Sequence, residues 1–135
     1  MLNTILVPVA DDPASENCVH HAFDLSRLLG SKVILLYATE NPDDLASGKT
    51  LLSTLAAGAR YPAKQLVVLD QPMSAVLKAI EVHQVDLVLL GCADPQCPSS
   101  HLVLNLLTCT PVPVQVVPMV RRARRGFLDR VQPFP

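Results

Sequence analysis

The sequence predicts an α/β fold: an open five-stranded parallel sheet with helices on both faces. Three observations carry this reading. Short apolar runs recur at Ile5–Val9, Lys32–Ala38, Gln65–Leu69, Asp86–Leu90 and Val114–Val117, and continuous rather than alternating apolar character marks strands buried on both sides. Helix-length segments separate the runs. The connections are short, so each strand–helix–strand unit is a crossover between parallel strands.

Ile5-Leu6-Val7-Pro8-Val9 reads as the first strand. Pro8 cannot donate to a ladder, so it is tolerable only near the strand's end. Asp12-Pro13 opens the first helix, with Asp12 as N-cap and Pro13 at the first helical position. That helix runs to about Leu29. Val19, Ala22, Phe23, Ser26 and Leu29 share one face, and Gly30 supplies the stop. Lys32–Ala38 is the second strand, and Glu40–Asp44 with Pro42 is a loop. The segment 45–59 is helical, rich in Ala and Leu, and closed by Gly58. The third strand follows at Gln65–Leu69. Pro72 starts a helix whose buried face is Val76, Leu77 and Ile80 and which ends near His83. The fourth strand, Asp86–Leu90, opens into a loop at Gly91. A short helix over 99–108 leads to the last strand, where Pro111 and Pro113 suit an edge position.

A chain of 135 residues with 50% hydrophobic residues forms one domain with a substantial core. We place that domain at 1–118 and read 119–135 as a basic arm or tail. Residues 1–117 hold six Lys/Arg against eleven Asp/Glu, whereas 118–135 hold five Arg against Asp129. The cluster Arg121-Arg122-Ala123-Arg124-Arg125 lacks interleaved aromatics, and the acidic body repels a polyanion. The tail is therefore read as docking within or between subunits, not on nucleic acid. No run of 18 apolar residues and no basic leader segment occur. The expected location is cytoplasmic, with Cys18, Cys92, Cys97 and Cys109 as reduced thiols.

Three segments together resemble universal stress protein domains. They are Ile5–Val9 with its capped helix and Lys32–Leu36, then Asp86–Gly91, then the ending Thr110-Pro111-Val112-Pro113-Val114-Gln115-Val116-Val117. The resemblance implies strand order 3-2-1-4-5 in a Rossmann-like sheet of the adenine nucleotide alpha hydrolase type. It also implies a homodimer through the last strand (Val114, Val116, Val117) and a stress-linked or regulatory role rather than central metabolism; no acid, base or nucleophile set stands out in the sequence, so no catalysis is expected. One branch of the family binds ATP through an acid ending the first strand. After the fourth strand that branch has a glycine, two residues, a second glycine, nine residues, then Gly-Ser or Gly-Thr.

This chain departs from that pattern. Ala10 stands where the acid belongs, with Asp11 and Asp12 next. Gly91 matches the first glycine, but Asp94 replaces the second. Ser100-His101 occupy the final Gly-Ser place, and the intervening loop is about four residues short. A carboxylate at 94 would repel phosphates, and Asp94-Pro95 stiffens the turn. The crevice positions to watch are thus Ala10, Asp11, Asp12, Gly91, Asp94, Ser99 and Ser100. The expectation is a module without cofactor, acting on an unidentified protein partner. The alternatives are an ATP or AMP binder with an altered loop, and a thiol sensor built on Cys92 and Cys97. A zinc site of Cys92, Cys97 and His101 has the wrong spacing and too few ligands. Asp11, Asp12, Glu40 and Asp94 are read as solvated or capping carboxylates. Ser47-Gly48-Lys49-Thr50 resembles the end of a phosphate loop but has Asp43 where the first glycine belongs, and is read as a solvated helix start.

Overall fold

The computed structural model describes residues 3–10, 13–57, 63–92 and 110–118. Five strands form one sheet: β1 (Thr4–Pro8), β2 (Lys32–Thr39), β3 (Lys64–Leu69), β4 (Leu87–Cys92) and β5 (Val114–Pro118). Their order is β3-β2-β1-β4-β5 and every pairing is parallel. The fold class and strand order are those expected. Helices α1 (Pro13–Leu29), α2 (Leu45–Ala56) and α3 (Pro72–His83) cover the sheet. The expected helix at 99–108, the closing Gly58 and the tail 119–135 lie outside the described residues.

The two faces have separate cores. Beneath α1 and α2 lie Ile5, Val7, Val33, Leu35, Leu87, Leu89 and Val117; against α3 lie Leu6, Ile34, Leu36, Val88 and Leu90. Strict alternation along β1, β2 and β4 produces this division, since successive side chains point to opposite faces. Ile5, Leu6, Val7, Leu35, Val88 and Leu89 are wholly inaccessible, and each such aliphatic side chain contributes about 1.5–3 kcal/mol by leaving water. Pro8 sits in the central strand, but at its last position. The next ladder bond comes from the Val9 N–H to the Leu36 carbonyl.

Four local expectations need correction. Leu29 is about half exposed, not buried. The 17 residues of α1 extend about 25 Å against about 17 Å for β1, so its last turn overhangs the sheet. On α3, Ala75 and Ala79 join Val76 and Ile80 in the core while Leu77 is only half-buried. Close helix–sheet contact selects the small side chains there. Gly48 is not solvated but buried, and a Cβ on it would stand 2.3 Å from a ring carbon of Tyr37. The glycine in that apparent phosphate-loop fragment therefore seats α2 on the Tyr37 ring. Finally, β4 does not end at Leu90. Gly91 and Cys92 continue it, opposite Val117 and Pro118.

Asp86 ties the sheet's centre together. Its Oδ2 accepts from the backbone N–H groups of Asn3 and Thr4 at 2.9 and 3.0 Å, and its own N–H donates to the Thr4 carbonyl. One carboxylate so anchors the start of β1 to the start of β4. Asp86→Ala removes two hydrogen bonds to a charged acceptor, the exposed one from Asn3 and the part-buried one from Thr4, and we expect a loss of about 1–2 kcal/mol, read as a lower urea midpoint with unchanged m-value. Cys18 packs in the α1 core and burial pushes its thiol up to about 12. Since the thiolate is the nucleophile, peptide mapping after iodoacetamide at pH 8 should find Cys18 unlabelled in the native chain and labelled in urea.

Candidate functional site

In an open parallel sheet the ligand crevice lies at the carboxyl ends of the strands where their order reverses. Here that point is between β1 and β4: from β1 the chain fills the sheet first on one side with β2 and β3, then on the other with β4 and β5. Their paired positions are Ile5 with Leu87 and Leu6 with Val88. Beyond these, the N-terminus of α1 packs against β4.

That packing explains Gly91. A Cβ at position 91 would stand 2.3 Å from the Ala14 carbonyl oxygen and 2.7 Å from its carbon. Both are backbone atoms in the first turn of α1 and cannot rotate away. Gly91 is thus required by the approach of α1 to β4, whether or not a phosphate ever lies nearby. Ala10, at the end of β1, is exposed, and its N–H donates to the Ser15 Oγ at 2.9 Å. Ser15 is itself 7% exposed, so the turn from β1 into α1 is closed by an internal side chain. Ser15 and Ala14 escaped the reading from sequence. A buried serine two residues after a helix-starting proline was the available signal.

Around the rest of this edge, Glu40 is exposed after β2, and Asn41 Oδ1 accepts from the Asp43 N–H to cap a single 3-10 turn over Pro42–Asp44. After β3, Lys78 and the Gln71 N–H hold the Asp70 carboxyl below the usual carboxylate range. Asp70 lies between β3 and α3, where the Gln71 N–H donates to its Oδ1, and is remote in sequence from the β1 and β4 ends. Of the seven crevice positions, the structure brings Ala10 and Gly91 to the two sides of the α1 N-terminus. Asp11, Asp12, Asp94, Ser99 and Ser100 lie outside the described residues, as do Cys97 and His101. Among the described residues no cluster of His, Cys, Asp or Glu is arranged to hold a metal ion, and no helix is long and apolar enough to cross a membrane.

Strand order 3-2-1-4-5 with a crevice at the β1/β4 reversal defines an α/β domain of the adenine nucleotide alpha hydrolase-like class. The universal stress protein family model matches residues 1–96, and the chain belongs to that family. A search of curated protein sequences gives no significant match. Several solved structures are similar. A universal stress protein in complex with cAMP superposes with TM-score 0.73 at 15% identity, over 88% of this chain and 98% of that one. The universal stress protein from Archaeoglobus fulgidus in complex with dAMP gives 0.68 at 16%, over 86% and 98%. A family protein from Burkholderia pseudomallei gives 0.71 at 18%, over 87% and 97%. At such identities the likeness establishes the shared fold.

Because the contact at Gly91 is backbone against Cβ, Gly91→Ala should destabilise the domain by about 1–3 kcal/mol, the usual cost of overpacking. Chemical denaturation checks this. A variant as stable as the parent would mean that α1 sits farther from β4 than described.

Proposed function

We propose that this chain is a regulatory universal-stress-type domain, cytoplasmic and non-catalytic, that works as a homodimer and does not hold ATP through the family's phosphate loop. The observation that carries the reading is at the end of β1. The ATP-binding branch has an acid there, and this chain presents the methyl group of Ala10 with its backbone N–H already engaged by Ser15. Gly91, the one position that still matches the family's glycine pattern, is accounted for by the Ala14 carbonyl. It is therefore no argument for a bound phosphate. Asp94, where the second glycine belongs, adds a charge of the wrong sign.

The dimer reading is supported by β5. It is an edge strand paired only with β4 among the described residues, and a parallel edge left open is a template for another strand. Val114 and Val116 are half-buried and available to a partner, while Val117 is 8% exposed and belongs to the core under α1. A contact at Val117 would use its backbone. A second reading, a nucleotide binder with an altered loop, is favoured by the similar folds solved with cAMP and dAMP. In it Gly91, Ser99 and Ser100 would supply the phosphate contacts, with Asp11 or Asp12 near the ribose or adenine. Native mass spectrometry of protein purified without added nucleotide separates the two. The proposal expects twice the chain mass and no adduct. A dimer carrying an AMP- or ATP-sized adduct overturns the first reading in favour of the second, and a monomer at micromolar concentration removes the β5 interface.

A further inference from the structure

The amino-terminal edge of the sheet, opposite the crevice, carries a cleft of about 610 Å³, within the range of small-molecule sites. Its chemistry is one-sided. Lys32, Lys64, Arg27 and His83 line it, together with the hydroxyl-bearing Thr4 and Ser26, and no acidic side chain is among its described lining residues.

The sheet register explains why these groups converge. Thr4 pairs with Lys32, and Ile34 pairs with Lys64. Lys32 and Ile34 are two residues apart, so Thr4, Lys32, Ile34 and Lys64 project from one face. Ile34 is in the core against α3, so that face is the one α3 covers. However, α3 stops at His83, where Gln84 takes a left-handed conformation with φ 54° and the chain turns into β4. The starts of β2 and β3 are left uncovered, with a lysine on each and His83 beside them. From the opposite face, the end of α1 brings in Ser26 and Arg27.

The carboxyl ends of α1 and α3 point to this edge and present partial negative charge; Arg27 in the last turn of α1 offsets it there, and His83 lies in the last turn of α3. Arg27 also pairs with Asp24 at 2.8 Å. The Asp86 carboxylate is engaged by the Asn3 and Thr4 N–H groups. Glu81, in the last turn of α3, is exposed and does not line the cleft. Lys32 and Lys64 are exposed and have no ion pair among the described residues. Two unpaired ammonium groups from adjacent strands, over an apolar floor and beside the Thr4 hydroxyl, suit a compact multivalent oxyanion.

We propose that this cleft binds the phosphate groups of a small ligand, of diphosphate size, at the pole of the sheet opposite the family's nucleotide crevice. Lys32 and Lys64 bind the oxyanion as point charges, with Thr4 and His83 completing the donor set; the Ser26 hydroxyl donates to the Ser31 carbonyl and shapes the wall. The site is independent of the reading of the crevice.

The test is a ¹H–¹⁵N NMR titration of the full chain with pyrophosphate and, separately, ADP at 0.15 M salt. Saturable shifts are expected at the amides of Gly30–Val33 and at Lys64. Lys32→Gln/Lys64→Gln should weaken binding at least fivefold while keeping the dispersed spectrum, and Lys49→Gln on α2 should leave it unchanged. Equal affinity for pyrophosphate and ADP at these amides assigns free polyphosphate; tighter ADP binding assigns a nucleotide carrier. The proposal is overturned by the absence of saturable shifts in the cleft, by shifts confined to Arg121–Arg125 or to Gly91 and its neighbours, or by a loss below fivefold in the double variant.

Discussion

The junction of β1 and β4 is the constraint on which the rest of the molecule depends. These strands are the middle of the sheet, and the chain must travel from residue 8 to residue 87 between them. Their start is fixed by Asp86, which binds the two N–H groups that open β1. Their far end is fixed by the first turn of α1, whose Ala14 carbonyl rests on Gly91. Between these points the side chains alternate between two dry faces. A one-residue slip of either strand would exchange the two cores, and it would also take Asp86 away from Asn3 and Gly91 away from Ala14. Register is therefore specified twice by polar or steric contacts and continuously by burial.

Much of this architecture was legible in the chain because it rests on local signals. Uninterrupted apolar runs identified the strands, the Pro13 and Pro72 starts identified helices, and Pro113 before the last run suited the edge that β5 occupies. What was not legible rests on contacts between distant residues. Nothing near Asp86 announces that its acceptors' partners lie more than eighty residues away. Gly48 looked like part of a phosphate loop because the Tyr37 ring beneath it is invisible to any local pattern. Leu29 fitted the helical period and still faces water, since periodicity describes a helix's face and not where the sheet beneath it stops.

The candidate site divides in the same way. The positions at the carboxyl edge were named from spacing and resemblance; of these, Ala10 follows β1 and Gly91 lies within β4, one residue before its end. The meaning of Gly91 changed once its neighbour was known, from a surviving piece of a ligand loop to a requirement of helix packing. The cleft at the amino edge gave no motif at all. Lys32 and Lys64 are 32 residues apart and become neighbours only through the β2–β3 register, and the space above them exists because α3 ends at His83.

These observations explain how a domain of this family can keep its fold while its phosphate loop changes. The contacts that hold the sheet, namely Asp86 with Asn3 and Thr4, Ala14 on Gly91, and Ser15 on Ala10, are internal to the strands and to α1. Gly91, the penultimate residue of β4, serves packing on its own account, because α1 could not approach β4 past a Cβ there. Substitution of the acid after β1 by Ala10 removes no contact that the fold needs, because the turn there is closed by Ser15. The fold and the ligand chemistry of the carboxyl edge are thus separable in this chain. A surviving first glycine is a sign of how α1 docks, and ligand binding in such domains has to be argued from the groups that would touch the ligand.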